Sequence, residues 1–257
     1  MSSIRIRLLG SFEVRRGTTA LAVPAGRQRA LLALLALRGG HVVDVESIAD
    51  TLWDGRPPRG ARTTIRGFVG RLRRVLDEPG AESVIGTGAG GYRLRVIPSD
   101  VDVHRFRSLV AAARAEQDPD RELVLLERAA DCWQGDLLAE VGCPELLRRA
   151  EPALEEQRLL VVQRRLDLLI GRGDAAPAVA ELRSLVAEHP LRERFWEQLM
   201  TALHRAGRPA EALQAYESCR GALAAELGVD PGPRLRELHA EILLADAVRV
   251  PRVPALR

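Results

Sequence analysis

The feature that most constrains the fold is a 34-residue period in the second half of the chain. Gly173 and Gly207 occupy equivalent places in this period, as do Ala178 and Ala212. A glycine between two apolar-periodic segments is typical of a turn between helices, so each period predicts one helix pair. The same step aligns further positions, namely Val161-Val162 with Phe195-Trp196, Leu166 with Met200, Leu169 with Leu203, and Leu185 with Cys219.

Helical periodicity extends over residues 99–244 and predicts an all-α region. A break is expected near Pro152, because proline lacks the amide donor that a helix interior needs. The 34-residue spacing resembles tetratricopeptide repeats, which bind partners and rarely catalyse; a merely structural helical domain is the alternative. The predicted helices lie at 104–115, 121–132, 145–170, 175–188, 191–206, 209–225 and 233–244.

The N-terminal region combines a small sheet with helices. Strict alternation over Ile4–Leu8, followed by Phe12–Arg15 and Ala20–Val23, predicts short antiparallel strands. Gly39-Gly40 ends a predicted helix that begins at Arg27, and Asp44 is a suitable N-cap for a second helix that runs to about Trp53. We interpret Trp53 as a core anchor and residues 54–60 as a loop.

The third predicted helix, residues 61–76, has one apolar stripe and an arginine face. Its apolar residues recur at helical spacing, whereas the opposite face carries five arginines and no acid. An ordinary exposed helix mixes charges of both signs, so a face of one sign favours a polyanion and suits a DNA major groove. A solvated surface helix is the alternative. The arginines are Arg62, Arg66, Arg71, Arg73 and Arg74.

The charge distribution points to the same region. Residues 1–98 carry 16 arginines and 8 acidic residues, a net charge of +8, whereas residues 99–257 have a net charge of −5. An anionic partner is therefore expected to bind the first hundred residues. The chain has no lysine, so a P-loop lysine is excluded.

A glycine-rich run, residues 86–91, precedes the alternating segment Tyr92–Val96. A dinucleotide-binding loop needs a helix directly after the glycines, whereas a strand follows here. The run therefore predicts the tip of a β-hairpin.

Sheet, three helices and hairpin together resemble the OmpR-type winged helix-turn-helix. The resemblance is carried by Arg71-Leu72-Arg73-Arg74 in the third helix and Gly91-Tyr92-Arg93 in the hairpin. It implies that the third helix is a recognition helix and that the hairpin is a wing beside the minor groove. Gly88 stands near the wing tip, where such proteins often carry an arginine, so Arg93 or the tip backbone would substitute.

We expect Arg66 and Arg71 to contact base edges and the other arginines of this helix to hold phosphates. Gly67 and Gly70 would allow close approach to the groove. The full set of candidate DNA-binding residues is Arg62, Thr63, Thr64, Arg66, Gly67, Gly70, Arg71, Arg73, Arg74 and Arg93.

The phrase from Ala225 to Leu235, AELGVDPGPRL, resembles the signature of the bacterial transcriptional activator domain. Behind an OmpR-type winged helix, this pairing is similar to the Streptomyces antibiotic regulatory protein (SARP) family. The resemblance implies a winged helix at residues 1–98, a tetratricopeptide-like activator domain at 99–244 and a tail or linker at 245–257.

The same resemblance implies an activator, for a secondary-metabolite cluster, that binds direct-repeat operators as a homodimer. It also implies recruitment of RNA polymerase through its sigma subunit and its alpha or beta subunit. In OmpR-type proteins the loop before the recognition helix often faces the polymerase, so the expected contacts are Asp54, Arg56 and Arg59.

Other classes of function find little support. No Gly-x-Ser-x-Gly, His-Glu-x-x-His or P-loop motif occurs, so an enzyme is not expected. We interpret the three separated cysteines as core residues and expect no metal or cofactor. No signal peptide or membrane span is predicted, so we expect a cytoplasmic, nucleoid-associated protein. The remaining alternative is a repeat scaffold whose basic domain binds protein and does not read DNA sequence.

Overall fold

The computed structural model describes the backbone of residues 3–249 and the side chains of residues 3–245. The chain divides into two compact units, residues 1–161 and residues 162–257. The first unit holds two small sheets and five complete helices within its described residues, and it also contains the first part of a sixth helix.

The N-terminal sheet is antiparallel, as predicted, in the order β1-β2-β3. Ile6 pairs with Val14, and both side chains are buried on the same face. The backbone amides of Leu8 and Leu9, just after β1, donate to the carboxylate of Asp102 at 2.8 Å. The strands are β1 (Ile4–Arg7), β2 (Glu13–Arg16) and β3 (Thr19–Ala20).

Three helices follow the sheet at the predicted places. They are α1 (Arg27–Leu37), α2 (Val45–Leu52) and α3 (Ala61–Leu76). Helix α1 is apolar nearly all round and is buried from Ala30 to Ala36, so it forms the centre of this core. Asp44 caps α2 as expected, because its carboxylate accepts a hydrogen bond from the amide of Ser47.

The predicted hairpin forms from β5 (Ile85–Gly88) and β6 (Gly91–Leu94). Its tip is shorter than the predicted residues 86–91, because Gly86 and Gly88 belong to β5 and Gly91 belongs to β6. The extended link before α2 is also a strand, β4 (Val43–Asp44), and it pairs with β6 to give the order β4-β6-β5. A Cβ on Gly91 would lie 2.0 Å from the carbonyl oxygen of Val43. Only glycine therefore lets these strands approach.

Two amphipathic helices follow a turn of 3₁₀ helix at Pro98–Asp100, and a third runs into the second unit. They are α4 (Asp102–Ala115), α5 (Pro119–Ala130) and α6 (Pro144–Arg172). The predicted break near Pro152 is wrong, because α6 is continuous through it. Pro152 is exposed, so water can replace the missing hydrogen bond. Leu146 before it and Leu154 after it are buried, and their packing stabilises the helix on either side of the proline.

The remaining helices confirm the 34-residue period. Gly173 and Gly207 both have positive φ angles, 95° and 74°, and each ends a helix. Helix α8 packs against α7 and α9, and α10 packs against both α8 and α9. The helices are α7 (Ala175–Glu188), α8 (Glu193–Arg205), α9 (Pro209–Leu227) and α10 (Pro233–Arg249).

Helix α10 thus enters the segment predicted as a tail, of which residues 250–257 lie outside the described residues.

Two expectations about the core need correction. Trp53 and Cys143 are only partly buried, because the loops that follow α2 and precede α6 leave one side of each open, whereas Cys132 and Cys219 are buried as expected. Among the described residues, no helix is both long and apolar enough to cross a membrane.

Candidate DNA-binding surface

Helix α3 separates its two faces as the sequence predicts. Ile65 and Leu72 are fully buried and Val69 nearly so, which fixes the helix on the core. The opposite side exposes Arg62, Thr63, Arg66, Gly67, Arg71 and Arg74, while Thr64, Gly70 and Arg73 are half-buried. The candidate residues on this helix therefore lie along one side of it.

The exposed arginines differ in their surroundings. No ion pair of Arg66 or Arg74 occurs within residues 3–245. Arg62 forms an ion pair with Glu46 of α2, in which both side chains remain about three-quarters exposed, at 73% and 77%. An ion pair this exposed contributes little to stability, so Arg62 is available to exchange Glu46 for another anion.

Arg71 rests on an aromatic side chain. Its guanidinium lies 5.3 Å from the ring centroid of Phe68, which in turn stacks on Trp53 at 6.4 Å between centroids. The guanidinium of Arg27 lies 5.2 Å from the Trp53 ring. Sequence reasoning missed this support for Arg71, although the i, i+3 spacing of Phe68 and Arg71 was a signal for it.

Space is open at the two glycines of α3. A Cβ on Gly70 would meet nothing within 4 Å, and a Cβ on Gly67 would meet only the end of the Arg71 side chain, at 4.0 Å. Packing within the protein therefore does not demand glycine at either position. A requirement for glycine must come from something that approaches α3 from outside.

Arg73 is turned inward. Its Nε and Nη2 atoms donate to the carbonyl oxygen of Ile85 at 3.0 and 2.7 Å, and Nη2 also donates to the Thr87 hydroxyl at 3.0 Å. These bonds tie α3 to strand β5 of the hairpin. Arg93 is exposed on the neighbouring strand β6, opposite Gly86.

The loop between α2 and α3 is held at one end. Asp54 has a positive φ of 54° and forms an ion pair with Arg148 of α6, a partner that sequence reasoning did not find. Hydrogen bonds from Arg148 and Arg149 lower the pKa of Glu145 in the same helix. Arg56 and Arg59 are exposed, and neither makes an ion pair within the described part of the chain.

The sheet, three helices and hairpin form a winged helix, and helical repeats follow it. Two family models match the chain. One is the transcriptional regulatory protein C-terminal domain, over residues 23–94, and the other is the bacterial transcriptional activator domain, over residues 101–243.

Relatives extend the match to nearly the whole chain. Transcriptional regulator RedD of Streptomyces coelicolor is 38% identical over 95% of this chain and 72% of its own length. Regulatory protein DnrI of Streptomyces peucetius is 35% identical over 95% of this chain and 93% of its own length. Regulatory protein AfsR of S. coelicolor is 42% identical, but the chain spans only 24% of it.

A solved structure agrees with these matches. Mycobacterium tuberculosis EmbR, in complex with a low affinity phosphopeptide, superposes with a TM-score of 0.88 at 32% identity. The superposition covers 95% of this chain and 66% of the EmbR chain. The chain therefore belongs to the Streptomyces antibiotic regulatory protein family, which is a family of transcriptional regulators and not of enzymes.

Proposed function

We propose that this regulator is a sequence-specific activator that binds direct-repeat operators as a homodimer and recruits RNA polymerase. The observation that carries the proposal is the outer side of α3, where Arg66 and Arg74 are exposed without an ion pair in the described residues. Uncompensated arginines on a helix beside a hairpin are suited to duplex DNA. The relatives' names support a regulator in the bacterial cytoplasm, and the family supports a secondary-metabolite gene cluster as its target.

Within this surface we assign different roles to different arginines. Arg66 and Arg71 are both exposed on α3 and read base edges, with Phe68 holding the Arg71 guanidinium in place. Arg62 and Arg74 hold phosphates. Arg73 uses its Nε and Nη2 donors on Ile85 and Thr87, so we assign it to positioning the hairpin instead of binding phosphate.

Binding measurements with specific and random duplexes test this division. Arg71→Ala should cost about 1–3 kcal/mol on the operator and little on random DNA. Arg74→Ala should weaken both and reduce the salt dependence of binding by about one ion. Arg220→Ala is the control, because Arg220 is exposed on α9 and is paired with Glu217.

Equal losses on both duplexes for Arg71→Ala would contradict base reading by Arg71. If the unaltered protein binds no duplex at physiological salt, the alternative of a repeat scaffold that does not read DNA gains support.

Activation is assigned to the loop between α2 and α3. Asp54 is paired with Arg148, but both side chains are exposed and this pair can be exchanged like that of Arg62, so the loop offers Asp54, Arg56 and Arg59 to polymerase. Helices α2 and α3 are both packed on the core, so the loop that joins them is displayed at the surface. Contact with the sigma subunit and with the alpha or beta subunit is part of this proposal.

Transcription with purified components tests the loop. Replacing Arg56 and Arg59 by alanine should leave operator affinity within a factor of about three, since neither lies on the DNA-facing helix, but should lower transcription. A parallel fall in binding and transcription would make this loop a DNA contact.

A further inference from the structure

An arginine-lined cleft lies in the first compact unit, away from the outer face of α3. Its volume is about 420 Å³, and its arginines are Arg38, Arg107 and Arg149. They come from three different helices, since Arg38 follows the last residue of α1, Arg107 lies on α4 and Arg149 lies on α6. No residue of α3 lines the cleft, so it is separate from the proposed DNA-reading face.

The cleft differs from its neighbours in charge. Four other clefts of the described residues, with volumes between 320 and 420 Å³, each place carboxylates beside their arginines. No carboxylate lines the cleft that holds Arg38, Arg107 and Arg149. Glu145, which lies outside the lining, balances Arg149, but Arg38 and Arg107 have no carboxylate beside them in the described part of the chain, an arrangement that favours an anion.

The individual arginines are held differently. Arg107 donates from Nε to the neutral side chain of Gln157 at 3.3 Å, and burial lowers the pKa of its guanidinium. Arg149 is paired with Glu145 through Nε, while its Nη1 lies 3.3 Å from the buried hydroxyl of Thr51. Arg38 makes no ion pair within residues 3–245. Arg107 and Arg38 thus lack a carboxylate partner in the described structure.

The rest of the lining is mixed. Ser47 and Thr51 contribute hydroxyl groups, and the apolar groups are those of Leu34, Leu37, Val43, Leu146 and Ala150. Leu37 and Ala150 are only partly buried and so face the cleft, whereas the other three are less than 10% exposed. The exposed apolar groups of Leu37 and Ala150 accept a small hydrocarbon or aromatic group, while guanidinium groups bind phosphate or carboxylate oxygens in pairs. The volume lies within the range of about 300–1,000 Å³ that is usual for small-ligand sites.

We propose that this cleft binds a small organic anion that carries a phosphate or carboxylate group and an apolar moiety. The anionic group lies against Arg38, Arg107 and Arg149, and the apolar moiety lies against Leu37 and Ala150. The ligand thereby bridges α1 of the winged helix and helices α4 and α6. A phosphate of bound DNA offers the same anionic chemistry from a different source, and the experiment separates the two.

The test uses phenyl phosphate as the probe, with phenol and inorganic phosphate as comparisons, on the full chain without DNA. Methyl resonances of Leu34, Leu37 and Leu146 should shift with phenyl phosphate in a saturable manner and not with phenol. Inorganic phosphate should bind more weakly than phenyl phosphate, because it leaves the apolar groups of the cleft uncovered. Arg107→Gln should weaken phenyl phosphate binding about tenfold or more, through loss of a charge-assisted pair.

The matched control is Arg114→Gln, an exposed arginine on the same helix that does not line the cleft. It should bind phenyl phosphate like the unaltered protein, and both variants should unfold at unchanged temperatures. Absence of a saturable shift, or equal losses in the two variants, overturns the proposal. So does loss of affinity for every duplex in Arg107→Gln without probe binding, because the arginine is then a contact for the DNA backbone.

Discussion

The arginines of α3 and those of the second compact unit are the same residue type in opposite surroundings. In residues 162–245, Arg194 pairs with Asp167 and Glu197, and Arg208 pairs with Glu211. On α3, Arg66 and Arg74 have no such neighbour in the described structure. Arg194 and Arg208 of the second unit are therefore committed to internal contacts, whereas Arg66 and Arg74 of α3 are available to an external anion.

This difference shows that net charge alone does not locate a binding surface. Residues 99–257 contain more arginines than residues 1–98, 22 against 16, yet they also carry 27 acidic residues. The repeat helices place several of these acids three residues from an arginine on the same helix, as in Arg194 with Glu197 and Arg220 with Glu217. Helix α3 contains no acid at all.

The largest effect that would sharpen this comparison is expected at Arg194. Arg194→Ala should lower the free energy of unfolding by about 2 kcal/mol, because Asp167 and the largely buried Glu197 lose charge-assisted hydrogen bonds. Operator binding by the folded protein should not change. Chemical denaturation and a binding titration measure the two quantities, and Arg74→Ala should show the reverse pattern. A variant of Arg194 with normal stability and weaker DNA binding would break the comparison.

The next effect concerns a buried acid that has backbone donors in place of an arginine. Asp102→Asn should destabilise the fold by about 1.5 kcal/mol, since Leu8 and Leu9 both donate to its carboxylate. Burial raises the pKa of Asp102 above 3.8, although the backbone amides oppose that shift. The folded carboxyl then binds a proton more readily than the unfolded one. The free energy of unfolding therefore falls as the pH rises from 3.8 through the raised pKa of the folded state.

The asparagine variant lacks that titration. Its deficit relative to the unaltered protein should therefore be greatest below pH 3.8, the unfolded pKa, and should shrink as the pH rises through the raised pKa of the folded state. Urea unfolding at several pH values measures this, and a deficit that grows with pH would contradict the assignment.

A smaller effect tests whether glycine on α3 serves an outside partner. Gly70→Ala should stabilise the free protein by up to about 1 kcal/mol, because the added Cβ meets no atom within 4 Å and alanine favours a helix. The same change should weaken operator binding if a DNA groove approaches this side of α3. Gly221→Ala on α9, which is equally open, is the matched control and should stabilise without altering DNA affinity.

The smallest effect on binding is expected at Phe68, whose ring lies against the Arg71 guanidinium. Phe68→Leu should cost about 0.5–1 kcal/mol of operator affinity, since the guanidinium loses the ring that holds it 5.3 Å away. In a protein that already carries Arg71→Ala, the same substitution should have no further effect on binding. A full additional loss in that double variant would show that Phe68 acts through the fold of α3 and not through Arg71.

Local periodicity and capping account for the parts of the fold that the sequence predicted. The stripe of Ile65, Val69 and Leu72, the cap at Asp44 and the glycines of the 34-residue period each depend on residues a few positions apart. Their physical basis is the geometry of a helix and its ends. The predicted helix break at Pro152 was wrong because it considered only the missing amide donor of proline. It took no account of the packing of Leu146 and Leu154, which stabilises α6 on either side.

The candidate site was predicted only in part. The exposed face of α3 followed from its pattern, but the inward turn of Arg73 toward Ile85 and the pairing of Asp54 with Arg148 did not. Twelve residues separate the first pair and 94 separate the second. Which side chain lies beside an arginine at such distances depends on how whole elements pack, and sequence spacing does not encode it.

The sequence by itself determined that this protein has a basic winged helix and an acidic array of helix pairs, because hydrophobic period and charge composition are local properties. Only the tertiary structure decided which arginines stay free for an outside partner. It also brought Arg38, Arg107 and Arg149 from three helices into one cleft without a carboxylate. The physical reason is that an arginine is neutralised by whichever acid lies within a few ångströms, and that neighbour is chosen by packing.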